Sequence, residues 1–176
     1  MQIAHYQTLR SIPADAAGPI LDEVAQYKAA LDKAYQQHGA RLLAFEVGRM
    51  GTKGGHAHVQ CVPVPAALAD GAEAHFRAEG DKNGVRFLTD DEAAGLLARA
   101  PGGTESYFRV DLPGGKVLLH VIEGRGFNLQ FGRIATALLL AKPERVDWKA
   151  CAGTEAEEKA DTRAFKEAFK AFDPSE

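Results

Sequence analysis

The sequence has little cysteine, which excludes two classes of small protein. Only Cys61 and Cys151 occur among 176 residues. A disulfide-rich scaffold needs an even set of at least four cysteines, and a zinc-binding pair needs cysteines a few residues apart. Neither pattern is present, so we expect neither kind of site. Sparse, unpaired cysteine is typical of a reducing compartment, the nucleus or the cytosol.

Long apolar runs are also missing. The longest such run, Ile134–Ala141, is interrupted by Thr136 and stops at Lys142, whereas a membrane-spanning helix needs about 18 or more apolar residues. The first residues do not follow the cationic, apolar and small-residue order of a secretory signal. We therefore expect no membrane partner and no secretion. The stretch Met1–Leu9 opens without a turn or cap, so we expect a partner strand upstream of it.

The charge balance shows no excess of cations. Lys and Arg total 21 against 24 Asp and Glu, which gives a formal net charge of −3. Domains that hold nucleic acid by bulk electrostatics usually have a pI above about 9 or a basic stripe. The sequence therefore excludes that class and leaves room for local phosphate contacts. The 45% hydrophobic and 26% charged content is ordinary for one globular domain, or for two small domains sharing a core.

Periodicity predicts an α+β fold. Apolar residues recur at steps of three and four over Gly18–Gln37, which favours a helix. Thr89, followed by three acidic residues, has the pattern of a helix N-cap. The predicted strands are Arg41–Val47, His56–Val64, Val85–Leu88, Ser106–Leu112 and Lys116–Ile122. The other predicted helices are Ala66–Gly80, Thr89–Arg99, a buried segment that ends before Pro143, and a segment from Thr154 onwards.

A histidine-rich strand carries the pattern most indicative of chemistry. On a strand, alternate side chains share a face, so His56, His58 and Gln60 point one way, about 7 Å from one to the next. An imidazole is nucleophilic through one nitrogen when an acceptor fixes the N–H of the other. One histidine could then attack a phosphorus while its neighbours stabilise the nonbridging oxygens. The alternative is a solvated polar face. His5 either reaches the same site or lies at the surface.

The loop before that strand has groups suited to an anion. It spans Gly48–Gly55 and includes Arg49, Lys53, Gly54 and Gly55. Glycines let backbone N–H groups approach an anion closely, and the cations add positive charge. A zinc site would need three or four ligands, and no cysteine or acidic residue stands at ligand spacing from the histidines. We therefore expect no metal and no cofactor.

A second candidate for phosphate binding lies where the buried helix is predicted to begin. Arg125, Gln130 and Arg133 flank this start. Helix N-termini attract phosphate, and arginine binds it through two parallel hydrogen bonds. The alternative is a loop that packs Phe127 and Phe131 into the core and leaves the arginines at its rim.

These motifs together resemble a known family. The block His56-Ala-His-Val-Gln60, followed by Val62-Pro-Val-Pro65, is similar to the histidine-triad superfamily in the variant with glutamine at the last position. Further blocks along nearly the whole chain resemble the C-terminal region of CwfJ-type, spliceosome-associated proteins. These blocks are Ala4–Thr8, Phe45-Glu46, Tyr107–Gly114, Leu119-His120, Phe127–Arg133, Asp147–Cys151, and the closing Phe165, Phe169 and Phe172–Pro174.

For the fold, the resemblance implies a histidine-triad-like antiparallel sheet with packed helices, plus a second small α+β unit sharing the core. The linker Pro63–Gly71 is the expected seam. We accordingly predict a first, N-terminally truncated domain over residues 1–70 and a second CwfJ-type domain over residues 71–176. In the motif itself, the resemblance assigns His58 to the nucleophile of catalytic relatives and His56 to its phosphate-side partner.

For function, the resemblance implies pre-mRNA splicing and intron-lariat turnover. We predict an RNA-processing module, nuclear or also cytoplasmic, that binds branched or phosphorylated RNA ends and acts with the lariat-debranching enzyme or spliceosome components. One alternative is a histidine-triad nucleotide hydrolase or nucleotidyltransferase with His58 as nucleophile. Another is a purely structural domain of a larger splicing complex. Gln60, at the last triad position, weakens the hydrolase alternative.

Overall fold

The computed structural model describes residues 5–51 and 55–175. Within these ranges, four strands form one antiparallel sheet. The strands are β1 (Ala40–Gly48), β2 (Gln60–Pro65), β3 (Tyr107–Asp111) and β4 (Val117–Val121), in the order β2-β1-β3-β4. The register places Phe45 of β1 between Gln60 of β2 and Val110 of β3. The expected α+β class and the hairpin of β3 and β4 are confirmed.

Six α-helices pack around this sheet within the described ranges. They are α1 (Ala14–Gln36), α2 (Ala66–Ala69), α3 (Ala72–Lys82), α4 (Asp90–Leu97), α5 (Phe131–Leu139) and α6 (Glu155–Phe169). The predicted cap at Thr89 is confirmed, because its hydroxyl accepts from the Glu92 N–H while the Glu92 carboxylate accepts from the Thr89 N–H. Thr154 and Glu157 form the same reciprocal pair at the start of α6.

The chain between the two halves of the sheet differs from the prediction. The single helix expected over Ala66–Gly80 is divided into α2 and α3, because the chain turns at Asp70 and Gly71. The expected seam over Pro63–Gly71 coincides with the end of β2, all of α2 and this turn. The expected seam does not separate two sheets, because β1, which precedes it in the chain, pairs with β3, which follows it. The division of the chain at residue 70 stays a prediction.

The prediction of a strand over Val85–Leu88 is wrong, because these residues belong to no strand of the structure. The Val85 N–H donates to the carbonyl of Gly80 at the end of α3 (2.8 Å), and the Leu88 N–H donates to the Leu119 carbonyl of β4 (2.7 Å). The segment thus runs from a helix end to the sheet margin without forming a ladder. Its apolar pattern reflects burial, since Val85 and Phe87 both lie in the core.

An aromatic cluster fills the core between the sheet and α5. Phe108 of β3 is fully buried, and its ring centroid lies 5.2 Å from that of Phe131, 5.8 Å from Phe127, 6.1 Å from Phe87 and 6.3 Å from Phe45. Tilted and edge-on pairs at these separations are favourable beyond the apolar area that they bury. The cluster therefore fixes the first turn of α5 against β1 and β3.

Gly132, in that first turn, permits the close approach. A Cβ at this position would lie 2.5 Å from the Phe45 ring and 3.0 Å from the Phe108 ring. We expect Gly132→Ala to lower the free energy of unfolding by about 1–3 kcal/mol, as overpacking of a filled core does. Urea denaturation measures the change.

Gly95→Ala is the matched control. Gly95 lies inside α4, and an added Cβ there would meet nothing within 4 Å. Alanine at this helical position should raise the free energy of unfolding by up to about 1 kcal/mol. A Gly132→Ala variant as stable as the wild type would contradict the packing described here.

Candidate functional site

A cavity of about 550 Å³ opens where the segment before β2 meets β1 and the start of α5. We call it the His–Gln cavity. Its size lies within the range of about 300–1,000 Å³ that is typical of small-molecule sites. The described residues that line it are Gln7, Phe45, Val47, Arg49, Gly55, His56, His58, Gln60, Leu129, Gln130, Arg133 and Trp148.

The predicted shared face of His56, His58 and Gln60 is present, although β2 is shorter than expected. The strand begins only at Gln60, and the two histidines lie on the segment that leads into it. All three side chains line the His–Gln cavity. The backbone N–H of the intervening Ala57 donates to the Tyr6 carbonyl (2.5 Å), which positions this segment against the N-terminal residues.

The histidine rings lie near one another and are exposed to solvent. The ring centroids of His56 and His58 are 6.0 Å apart, and that of His5 is 6.1 Å from His56. His5 thus reaches the neighbourhood of the predicted site. Nδ1 of His58 is 3.3 Å from the carbonyl oxygen of His56. With Nδ1 protonated and donating to that carbonyl, Nε2 keeps its lone pair.

Two arginines contribute positive charge to the cavity, and each is held by a backbone carbonyl. Arg49 donates through Nη2 to the Gly124 carbonyl (3.2 Å). Arg133 donates through Nε to the Arg145 carbonyl (2.9 Å). No carboxylate is among the described lining residues, although the whole chain contains 24 Asp and Glu. The local electrostatics are therefore opposite in sign to the net charge of the chain.

The remaining predicted site residues have different placements. Gly55 and Gln130 line the cavity, and Gln130 directly precedes α5. Arg125 is exposed and is not among the described lining residues. Lys53 and Gly54 lie outside the described residues. The assignment of all of these to phosphate binding stays a prediction.

The segment at the start of α5 packs as one of its two interpretations expects, and the phosphate-binding interpretation stays a prediction. Phe131 is fully buried and Phe127 packs against the core, as the packing alternative expects. Arg133, in the first turn of the helix, lines the His–Gln cavity. The same short segment therefore supplies the core with aromatics and the cavity with a cation.

Sequence reasoning missed Gln7, Leu129 and Trp148 as lining residues. Gln7 accepts a hydrogen bond from the Gly51 N–H through its side-chain oxygen (2.9 Å), which connects it to the glycine-rich loop. Trp148 is the single tryptophan of the chain. Its rarity and its place in the block Asp147–Cys151 are the available signals, but neither connects it to residues 90 positions earlier in the chain.

A buried carboxyl lies behind the cavity wall, on the opposite face of β1. Glu46 is 2% exposed, accepts from the Tyr107 hydroxyl (2.6 Å) and accepts from the Leu9 N–H (2.9 Å). Burial raises the pKa of Glu46 above its ordinary value, although both hydrogen bonds and the nearby cations Lys28 and Arg109 oppose the rise. The pKa of Tyr107 is also raised, chiefly by burial.

This raised pKa predicts a pH-dependent stability. Protonated Glu46 is favoured in the fold, so its contribution is fully present below the unfolded-state pKa of about 4.3 and is lost as the pH rises through the higher folded pKa. The free energy of unfolding of the wild type, relative to Glu46→Gln, should therefore fall as the pH rises from about 4. Urea denaturation of both proteins over this range measures the difference.

Glu73→Gln is the matched control, with the opposite sign. Hydrogen bonds from Lys116 and Arg77 lower the pKa of Glu73. Its contribution is present above the unfolded pKa and is lost as the pH falls, so the wild type should gain stability relative to Glu73→Gln as the pH rises. A wild-type minus Glu46→Gln difference that is constant with pH would contradict the account of Glu46.

No group of three or more His, Cys, Asp or Glu side chains within residues 5–51 and 55–175 is arranged to hold a metal ion. In the same ranges, no helix has the length and apolarity that crossing a bilayer requires.

Both halves of the chain match known protein families. The family described as "Protein similar to CwfJ C-terminal" matches residues 1–77, and that described as "Protein similar to CwfJ C-terminus 2" matches residues 86–174. CWF19-like protein mug161 of Schizosaccharomyces pombe is 35% identical over 172 residues, covering 97% of this chain and 29% of the relative. CWF19-like protein 1 of Xenopus laevis is 34% identical over 177 residues, covering 98% of this chain and 31% of the relative.

A plant protein shows the same similarity. Zinc finger CCCH domain-containing protein 59 of Oryza sativa is 32% identical over 181 residues, which cover 99% of this chain and 28% of the relative. The chain thus spans less than a third of the length of each of these relatives. The resemblance inferred from the motifs is confirmed: the chain belongs to the CWF19-like family and corresponds to its two CwfJ C-terminal domains.

Proposed function

We propose that this chain is an RNA-binding module of a splicing-associated protein and holds RNA phosphates in the His–Gln cavity. The observation that carries the proposal is the composition of the cavity wall. Its described polar residues are two arginines, two histidines and three glutamines, with no carboxylate among them. In a chain with a net charge of −3, such a wall selects an anion locally and gives little attraction to nucleic acid elsewhere.

The individual groups suit a phosphate. Arg49 and Arg133 offer guanidinium donors, and hydrogen bonds from cations to phosphate are about twice as strong as neutral ones. The amide of Gln60 and the rings of His56 and His58, which line the same cavity, offer further donors. The start of α5, a nine-residue helix, adds the partial positive charge of a helix N-terminus.

Family membership supports a biological setting for this binding. We propose that the ligand is a branched or phosphorylated RNA end, met in the nucleus during intron-lariat turnover. The partners would be the lariat-debranching enzyme and spliceosome components. Membership of the CWF19-like family supports this setting, and the presence of two arginines with no carboxylate among the described lining residues supports the ligand class.

Fluorescence anisotropy with three labelled RNAs tests the proposal. The probes are a 5′-phosphorylated single strand, the same strand with a 5′-hydroxyl, and a branched RNA. The wild type should bind the phosphorylated and branched probes more tightly, with an affinity that falls with salt at a log–log slope of about −0.7 per phosphate contact. Equal affinities and a flat salt response would overturn the proposal.

Paired substitutions locate the binding. His56→Ala with His58→Ala should remove the preference for the phosphorylated strand. His38→Ala is the control, because His38 is an exposed histidine in the turn after α1 and is not among the described lining residues. Loss of preference in the control alone would contradict a site in the His–Gln cavity.

One observation favours a second candidate, a nucleotidyl-transferring histidine-triad enzyme. The hydrogen bond from Nδ1 of His58 to the His56 carbonyl leaves Nε2 free to attack. The Nε2 lone pair would form the N–P bond while the P–O bond to the leaving group breaks, and water would later cleave the N–P bond. Intact-mass spectrometry after incubation with nucleoside triphosphates tests this: an adduct on the wild type, absent from His58→Ala, would establish the enzyme.

A further inference from the structure

Two apolar side chains are conspicuously exposed at the mouth of the His–Gln cavity. Among the described large hydrophobic residues, Trp148 (56% exposed) and Leu129 (51% exposed) have the highest exposure, and both line this cavity. Leaving such surface in water is unfavourable, and exposed apolar groups next to polar ones commonly mark a binding surface. The described lining of the cavity therefore combines cationic and apolar side chains.

Trp148 lies on an ordered turn, and Nζ of Lys149 lies over its ring, 5.7 Å from the ring centroid. The Lys149 N–H donates to the Asp147 carboxylate (2.9 Å), and the Cys151 N–H donates to the Trp148 carbonyl (3.2 Å). The bond from Arg133 to the Arg145 carbonyl connects α5 to the chain just before this turn. The same arginine therefore lines the cavity and helps to position the segment that carries the tryptophan.

We propose that Trp148 is a stacking platform for a nucleobase whose own phosphate lies against the arginines and histidines of the cavity. A nucleotide joins a planar π-system to an anion and so matches both kinds of lining side chain, whereas a bare phosphate, a phosphoserine or a phosphothreonine has no flat ring for the tryptophan. Stacking on an aromatic side chain needs an unpaired base. The ligand is thus a single-stranded nucleotide. This inference rests on the proposed phosphate binding and names the group beside the phosphate.

The single tryptophan makes the test direct, because all tryptophan fluorescence of this chain comes from Trp148. Adenosine 5′-monophosphate should quench the emission in a saturable way, and ribose 5-phosphate should not. Histidine-ring NMR shifts give both affinities. We expect the adenosine compound to bind about tenfold more tightly than the sugar phosphate, as loss of one stacked base predicts.

Variants separate stacking from folding. Trp148→Ala should weaken adenosine 5′-monophosphate about tenfold and leave ribose 5-phosphate unchanged, while Trp148→Phe should retain most of the affinity. Phe165→Ala is the control, since Phe165 is 48% exposed on α6 and lines a different groove.

Equal binding of the two ligands, with Trp148→Ala behaving as the wild type, would overturn the stacking platform and leave the proposed phosphate binding standing. Failure of both ligands and of RNA to bind would overturn both proposals.

Discussion

Phe108→Ala should lower the free energy of unfolding by about 3–5 kcal/mol, the largest stability change that we expect from a single substitution. Phe108 is fully buried on β3, and four other phenylalanine rings lie within 6.3 Å of its centroid. Alanine would remove the ring at the centre of this cluster. The rigid sheet on one side and α5 on the other would prevent the cavity from closing. Urea denaturation measures the loss.

Phe165→Ala provides the comparison for this stability change. Phe165 stacks on Phe169 at 5.5 Å but remains 48% exposed on α6. Surface substitutions usually change stability by no more than about 0.5 kcal/mol. If Phe108→Ala proved no more destabilising than Phe165→Ala, the aromatic cluster would not be the centre of the core.

Arg133→Gln should weaken the binding of adenosine 5′-monophosphate at least about tenfold. A hydrogen bond to a charged group contributes roughly 1.5–3 kcal/mol, and every 1.4 kcal/mol is a factor of ten in affinity. Glutamine keeps a donor but removes the charge and the paired geometry of the guanidinium. Isothermal titration calorimetry measures the affinity, and the salt dependence should decrease together with it.

Arg125→Gln is the matched control for this binding change. Both arginines flank the start of α5, but Arg133 lines the His–Gln cavity and Arg125 is exposed and is not among its described lining residues. The Arg125 variant should bind the mononucleotide as the wild type does. If Arg125→Gln weakened mononucleotide binding more than Arg133→Gln did, the anion site would not lie in the His–Gln cavity.

Local chemistry made part of this structure predictable. The helix cap at Thr89 depends on residues three positions apart and is predicted from the sequence; Thr154 forms the same kind of cap, but the sequence there predicts only the start of a helical segment. The alternation that brings His56, His58 and Gln60 to one cavity is also a local property, because side chains of extended backbone alternate between faces. It was correct even though β2 begins only at Gln60.

The features that the sequence analysis did not predict depend on contacts between residues far apart in the chain. Val85 and Phe87 have the apolar alternation of a strand, but the Val85 N–H bonds to the end of α3 and the segment forms no ladder. Trp148 reaches the cavity through a turn after α5, and periodicity cannot place a turn against a strand formed 90 residues earlier. Arg125 and Arg133 look alike in sequence, but Arg133 lies in α5 and lines the cavity, whereas Arg125 lies in an exposed turn before the helix.

Histidine-ring NMR tests the central claim most directly, since the claim is that RNA phosphate lies against His56 and His58. The ring nitrogens are followed while a 5′-phosphorylated single-stranded RNA, or the same RNA with a 5′-hydroxyl, is added. His38, exposed after α1, is an internal reference. The account predicts shifts of the His56 and His58 signals that saturate with the phosphorylated RNA, are weaker with the hydroxyl form, and leave His38 unchanged. Binding of the phosphorylated RNA without any shift at His56 or His58 would contradict it.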